Sequence, residues 1–254
     1  MHKRVTLTSS LRLLRVIFLL TLAGGGSLVR AQAFCASDGQ ARPVALLERF
    51  INADCENCWK DPATPRAQAN QAVLDWVLPG ERGDDAPLSA VASRDGLIRL
   101  EALGQAVPRQ TSARLQRIKG PAQFDGREGY RLRVAHGLAL SGYTGVSIEL
   151  KSTPSDAKKQ PLTAWLALVE ILPPGTEGTP VVRNLVRNVL QSNWDERKQL
   201  SKKEQLRFFE SRVMRLPEGL NPERMRVIGW IEDAQGQVLA AAQSRCAALP
   251  AQDR

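Results

Sequence analysis

The chain has 254 residues and a formal net charge of +9, from 35 basic and 26 acidic side chains. More than half of that excess lies in residues 1–33, which carry five basic residues and no acid. Without this segment the net charge is +4, which argues against nucleic acid as the partner of a 221-residue domain. Four cysteines and two histidines are available for thiol, metal or imidazole chemistry.

Residues 1–33 have the pattern of a secretory signal peptide. Basic residues precede an apolar stretch at 16–23, and Ala31-Gln32-Ala33 supplies the small-x-small pattern that signal peptidase prefers. The apolar stretch is shorter than the roughly 20 residues that cross a bilayer; an uncleaved N-terminal anchor is the alternative. We therefore expect a periplasmic or secreted protein that has no membrane association after cleavage.

The first part of the mature chain, residues 34–125, is predicted to combine strands and helices. "PVALLERFI" (43–51) is typical of a strand. A helix is predicted to start at Thr64 and Pro65, as N-cap and first helical position, and to end before Pro79. Residues 88–104 fit a helix or a strand, and the polar, basic residues 105–128 are typical of a surface connection.

The second part, residues 126–254, is predicted to be rich in strands. Alternating apolar residues and Gly-based turns predict hairpins at 130–151 and 224–243, with further strands at 162–172 and 206–216. Residues 179–191 fit either a helix or a strand. Successive strands joined by turns favour an antiparallel sheet or sandwich.

The four cysteines, Cys35, Cys55, Cys58 and Cys246, all follow the predicted cleavage site. An oxidising compartment favours disulfides over free thiols or zinc. The favoured pairing is Cys55 with Cys58 and Cys35 with Cys246, because the second pair lies near the chain ends and termini are often close in space. Cys35–Cys246 is then a structural disulfide; a free or intermolecular Cys35 is the alternative.

The order strand, Cys-x-x-Cys, helix is that of a thioredoxin-like redox site. At a helix N-terminus the thiolate of Cys55 would be stabilised and would attack a partner protein's disulfide, and Cys58 would resolve the mixed disulfide. Asp54 and Glu56 disfavour that thiolate, since nearby negative charge raises a thiol pKa. A redox-active dithiol, a structural disulfide and a metal clip therefore remain as alternatives.

The segment "LLERFINADCENC" resembles the opening of the bacterial exported family called domain of unknown function 1223. Glu48, Phe50, Cys55 and Cys58 fall on its Glu-x-Phe and Cys-x-x-Cys pattern, and "RVIGWIEDAQGQVLAAA" resembles its final strands. The resemblance implies a thioredoxin-like fold with a β-rich C-terminal part, and favours a strand for "NLVRNVL". The predicted fold class is therefore α+β, with a thioredoxin-like segment at 34–125 and a sandwich-like segment at 126–254.

A thioredoxin-like exchange site also needs a cis-proline against the dithiol, for which Pro108 and Pro121 are the candidates. No cofactor is predicted, because the sequence has no Gly-rich phosphate loop. No metal site is predicted either, since His136, Cys35, Cys246 and carboxylates are the only further ligands available to Cys55 and Cys58. His136 is expected to be an ordinary edge residue of a hairpin. The functional alternatives are thiol–disulfide exchange at Cys55-x-x-Cys58 and a non-enzymatic module in which this pair is a structural disulfide.

Overall fold

The computed structural model describes residues 35–119, 130–151, 161–194 and 208–246, all within one compact unit that spans residues 33–254. The predicted signal segment 1–33 and Pro121 lie outside the described residues. Within the described ranges, no helix is long and apolar enough to cross a bilayer.

The described part of the chain contains twelve strands, two α-helices and four 3₁₀ helices of three residues each. The α-helices are α1 (Glu56–Trp59), a single turn, and α2 (Asp95–Ala102). In chain order, the strands are β1 (Cys35–Ala36), β2 (Ala45–Asn52), β3 (Gln71–Leu78), β4 (Thr111–Arg117), β5 (Arg131–His136), β6 (Tyr143–Lys151), β7 (Thr163–Leu172), β8 (Arg183–Asn193), β9 (Phe208–Arg215), β10 (Met225–Glu232), β11 (Val238–Gln243) and β12 (Arg245–Cys246).

The strands form two sheets. The five-stranded sheet has the order β12-β1-β5-β6-β9, and the seven-stranded sheet has the order β11-β10-β7-β8-β3-β2-β4. All neighbours are antiparallel except that β3 runs parallel to both β2 and β8. The larger sheet thus takes β2, β3 and β4 from the first segment of the chain and β7, β8, β10 and β11 from the second.

The main core lies between the two sheets. Val134 and Ile148 of the smaller sheet pack with Leu166 and Val227 of the larger one, and all four are almost fully buried. Gly229 lets the sheets approach here, because a Cβ atom at this position would lie 2.5 Å from a methyl carbon of Val134. Apolar burial of this kind is the main favourable contribution to folding.

Helix α2 covers the other face of the larger sheet. Leu100 on this helix packs in one buried cluster with Trp76, Trp165 and Trp230. The rings of Trp165 and Trp230 stack with centroids 5.7 Å apart. Leu97 on the helix and Leu103, directly after its end, are partly buried against this second core.

The predicted thioredoxin-like α+β fold is wrong, because the protein is mainly β with two sheets. The helix predicted from residue 64 to residue 78 is instead a loop followed by strand β3. Seven of the eight residues of β3 are buried. A strand covered on both faces carries a continuous apolar run, which local pattern does not distinguish from a buried helix.

Several other elements follow the sequence pattern. The predicted strand at 43–51 is β2, the two predicted hairpins are β5–β6 and β10–β11, and the strand at 162–172 is β7. The ambiguous segment at 179–191 contributes β8, and the region 88–104 contains helix α2. The predicted surface connection at 105–128 contains β4, an edge strand whose residues are mostly exposed.

Candidate functional site

The Cys55–Cys58 disulfide lies immediately after the end of β2. The side chain of Asn52 accepts a hydrogen bond from the Asp54 amide at 2.9 Å, and the Cys55 amide donates to the Asn52 carbonyl at 3.0 Å. This turn brings Cys55 to the N-cap of α1. Because α1 contains only four residues, it provides little of the aligned helix dipole that stabilises a reactive thiolate.

The two sulfurs of this pair have different environments. Cys55 is half-buried, whereas Cys58 is 9% exposed and belongs to an apolar cluster with Ile51, Val77 and Leu185. The disulfide therefore joins the half-buried Cys55 to the buried apolar cluster that contains Cys58.

Trp59 fixes the far end of α1. It is 3% exposed, and its Nε1–H donates to the Thr176 carbonyl at 3.3 Å. The guanidinium of Arg183 lies 4.9 Å from the centre of the Trp59 ring and donates to the backbone carbonyl of Trp59 at 2.9 Å. Trp59 is thus a buried anchor and does not present a surface to a partner.

Arg183 is held in turn by Asp75, in the middle of β3. Asp75 accepts from Arg183 at 3.0 Å and from Arg49 at 2.7 Å, and all three side chains are at most 3% exposed. Arg49 also donates to the Pro65 carbonyl at 2.9 Å. These contacts, which we call the Asp75 cluster (Arg49, Asp75, Arg183), attach the loop between Trp59 and Pro65 to the sheet.

The Asp75 cluster contains two guanidinium groups and one carboxylate. Burial lowers the pKa of Arg183, and the positive charge of Arg49 adds to this effect, while Asp75 opposes it. A cavity of about 240 Å³ beside Cys58 is lined in part by both arginines and by Asp61. It is smaller than the roughly 300–1,000 Å³ of typical ligand pockets, and both of its arginines already pair with Asp75.

The acids that flank Cys55 make local contacts. The Asp54 carboxylate accepts from the amides of Glu81 and Arg82 at 2.8 and 3.3 Å. Glu56 pairs with Lys60 at 2.7 Å on the exposed surface, and the hydrogen bond from Lys60 lowers the Glu56 pKa. The two acids next to Cys55 in the sequence are therefore both held by partners other than the disulfide.

The second disulfide, Cys35–Cys246, joins the first and last described strands. Strand β1 lies between β12 and β5, so Cys35 is paired in register with Cys246 on one side and with His136 on the other. Cys35 is buried and Cys246 is exposed. Both disulfides expected from the sequence are therefore present in the structure.

His136 is not the edge residue that the sequence predicted. It lies on β5, in the interior of the smaller sheet, and is 2% exposed. Burial lowers its pKa; the hydrogen bond to the Gly137 carbonyl opposes this change and the charge of Arg226 adds to it. The sequence pattern did not show that β1 would cover this position.

The two cysteines of the Cys35–Cys246 bridge should be equivalent in their effect on stability. Cys35→Ser and Cys246→Ser are each expected to lower the free energy of unfolding by about 3 kcal/mol, because either change removes the same cross-link from the unfolded chain. Urea denaturation of both variants measures this loss. The double variant serves as the control and should lose little more than either single variant; clearly unequal losses would contradict a shared bridge.

A second buried ionic cluster was also missed by sequence analysis. Arg99 on α2 donates to Glu48 at 2.8 and 2.9 Å and to Glu232 at 2.6 and 3.0 Å. Trp165 and Trp230 donate their Nε1–H groups to Glu232. We call this set the Arg99 cluster. Its signal in the sequence is an acid inside or at the end of an otherwise apolar strand, as Glu48 in "ALLERFIN" and Glu232 in "MRVIGWIE".

Arg99 remains charged in this environment. Burial alone would lower the pKa of Arg99, but the charges and hydrogen bonds of Glu48 and Glu232 outweigh it, so the pKa lies above its ordinary value. The ring centroids of Trp165 and Trp230 lie 5.0 and 5.2 Å from its guanidinium carbon. These contacts give the cluster a structural role in joining α2 to the larger sheet.

Comparisons with known proteins add little to this description. No protein-family model matches the sequence, and no curated protein matches it. HBP35 of Porphyromonas gingivalis is a similar solved structure, with 11% identity and a TM-score of 0.45 over 85% of this chain and 80% of that chain. A TM-score this low supports no conclusion about function. The resemblance to the domain of unknown function 1223 family remains a prediction.

Proposed function

We propose that the protein is a non-enzymatic module of the periplasm or the extracellular space, with Cys55–Cys58 and Cys35–Cys246 as structural disulfides. Disulfides form and persist in oxidising compartments, which supports the location, as does the N-terminal sequence pattern. The observation that carries the proposal is the burial of Cys58 and Trp59 above the Asp75 cluster. A disulfide anchored in this way holds the turn after β2 against the buried residues beneath it.

Two features argue against thiol–disulfide exchange. The one-turn helix α1 and the carboxylates of Asp54 and Glu56 give little support to a Cys55 thiolate. The described residues contain no cis peptide bond, and Pro108, the candidate within them, is therefore trans. A weakly stabilised thiolate makes the reduced form less favourable and the disulfide harder to reduce.

The outer face of the smaller sheet carries exposed apolar side chains. Val213 on β9 pairs with Gly145 on β6 and is 71% exposed, and Tyr143, two residues before Gly145, is 49% exposed. Leu140 in the adjoining turn is 77% exposed. Clustered exposed apolar residues are typical of contact surfaces in soluble proteins.

An insulin-reduction assay with dithiothreitol tests the assignment of Cys55–Cys58. The protein is expected to leave the rate of insulin precipitation at the value of the reductant alone. A Cys55→Ser/Cys58→Ser variant should behave identically in this assay but lose about 1.5 kcal/mol of unfolding free energy, as expected for a short closed loop. Acceleration of insulin reduction that Cys55→Ser abolishes would overturn the proposal.

A further inference from the structure

The Cys35–Cys246 disulfide lies against a buried histidine. Because β1 pairs with both β12 and β5, the sulfurs of Cys35 and Cys246 and a ring nitrogen of His136 all lie within 4.8 Å of one another. Two sulfurs and an imidazole are the donor types that zinc prefers in proteins. This juxtaposition involves neither Cys55 nor Cys58.

One hydrogen bond defines the tautomer of His136. Its Nδ1 lies 2.9 Å from the carbonyl oxygen of Gly137, and a carbonyl can only accept, so Nδ1 carries the proton. Nε2 then has a free lone pair, and it is buried without a hydrogen-bond partner among the described residues. A metal-binding histidine typically has this arrangement, with one ring nitrogen oriented by a backbone carbonyl and the other free to bind.

We propose that opening the Cys35–Cys246 disulfide converts this corner into a three-ligand site for Zn²⁺, formed by both sulfurs and the His136 imidazole. In the opening step, a dithiol reductant gives two electrons and two protons to the bridge and becomes a disulfide itself. The S–S bond breaks and two thiols form. Zn²⁺ binding then releases the two thiol protons, and the thiolates and Nε2 coordinate the metal, with a water as fourth ligand.

The geometry of the corner suits this change. Zinc–sulfur bonds of about 2.3 Å and zinc–nitrogen bonds of about 2.0–2.1 Å place tetrahedral ligands roughly 3.5–3.8 Å apart. After the S–S bond breaks, the two sulfurs must move apart from bonding distance, while the imidazole nitrogen, which lies within 4.8 Å of both, must approach them slightly. The exposed side of Cys246 provides a path for both reductant and metal.

The surrounding charge also suits a site with two thiolates. Arg245 directly precedes Cys246 and pairs in register with Ala36, which directly follows Cys35. Nearby cations stabilise thiolates. Zn²⁺ with two thiolates has no net charge, so the loaded site would not add positive charge beside this arginine. The oxidised protein has no thiolates here and should bind the metal weakly.

The test uses the full chain with Cys55→Ser and Cys58→Ser, which leaves Cys35 and Cys246 as its only cysteines. The protein is reduced with a phosphine and titrated with Co²⁺ and then with Zn²⁺. We expect one Co²⁺ per chain with thiolate-to-cobalt charge-transfer absorption that Zn²⁺ abolishes. The oxidised protein should show no such absorption.

Further variants assign the ligands. Adding His136→Gln should weaken Co²⁺ binding by more than about 100-fold, beyond the usual effect of losing an outer-shell partner. Adding Cys35→Ser and Cys246→Ser should abolish the charge-transfer absorption. Equal binding by the oxidised and reduced proteins, or unchanged affinity after His136→Gln, would overturn the proposal.

A second measurement tests the proposal on the wild-type protein and so does not depend on whether the variants fold. In the reduced wild-type protein, Zn²⁺ should slow alkylation of Cys35 and Cys246, as followed by peptide mass spectrometry, and should raise the Tm of the reduced protein but not of the oxidised protein. Absence of both effects would also overturn the proposal. The insulin assay of Cys55–Cys58 is independent of this site, so the two proposals can fail separately.

Discussion

Replacing Arg99 by methionine is expected to lower the free energy of unfolding by about 5 kcal/mol, the upper end of the range for breaking a buried ion pair. Arg99 is fully buried and is the shared partner of two carboxylates, Glu48 and Glu232. Methionine fills much of the same space, so the main loss is the charge and its hydrogen bonds. Urea denaturation followed by tryptophan fluorescence measures the change.

Two further variants separate charge from packing in the Arg99 cluster. Arg94→Met, at the exposed start of the same helix, should change stability by no more than about 0.5 kcal/mol. Glu48→Gln combined with Arg99→Met should destabilise by less than the sum of the two single changes, because neighbours in one network are coupled. A loss below about 1 kcal/mol for Arg99→Met, or full additivity, would contradict the buried network.

Replacing Asp75 by asparagine is expected to cost about 4 kcal/mol, because it leaves the buried guanidinium groups of Arg49 and Arg183 without their shared carboxylate. The substitution keeps the size of the side chain. The effect should also reach the cysteine pair, since Arg183 holds the carbonyl and the ring of Trp59. Backbone amides at 59–65 should therefore exchange faster with solvent.

Hydrogen exchange and urea denaturation together test the Asp75 prediction. Asp84→Asn is the matched control, because Asp84 is exposed and should leave both stability and exchange at 59–65 unchanged. If Asp75→Asn were as mild as Asp84→Asn, the Asp75 cluster would not hold the loop that carries the cysteines.

The sequence predicted the strands that have a clear period or clear boundaries. The β10–β11 hairpin follows from alternating apolar residues and a Gly-containing bend at Gly236. Strand β2 follows from an aliphatic run that stops at the Asn52 turn. Strand β3 was missed because neighbours on both sides and apolar cores on both faces make its pattern continuous. Those neighbours are distant in sequence, so local pattern carries no sign of them.

Sequence analysis identified the cysteines of the candidate site but not the residues that hold them in place. Spacing and compartment were enough to pair Cys55 with Cys58 and Cys35 with Cys246. Arg183 lies more than 100 residues from Trp59 and Asp75, and only the parallel pairing of β3 with β8 brings them together. His136 was assigned to a sheet edge because the two-residue strand β1 is too short to show in the sequence.

The reduction potential of Cys55–Cys58 tests the structural assignment most directly. The whole protein can be equilibrated in glutathione and dithiothreitol buffers, and the thiols of each cysteine quantified by alkylation and peptide mass spectrometry. We predict a potential below about −300 mV, as is usual for structural disulfides. A potential between about −270 and −120 mV, the range of catalytic pairs, would contradict it.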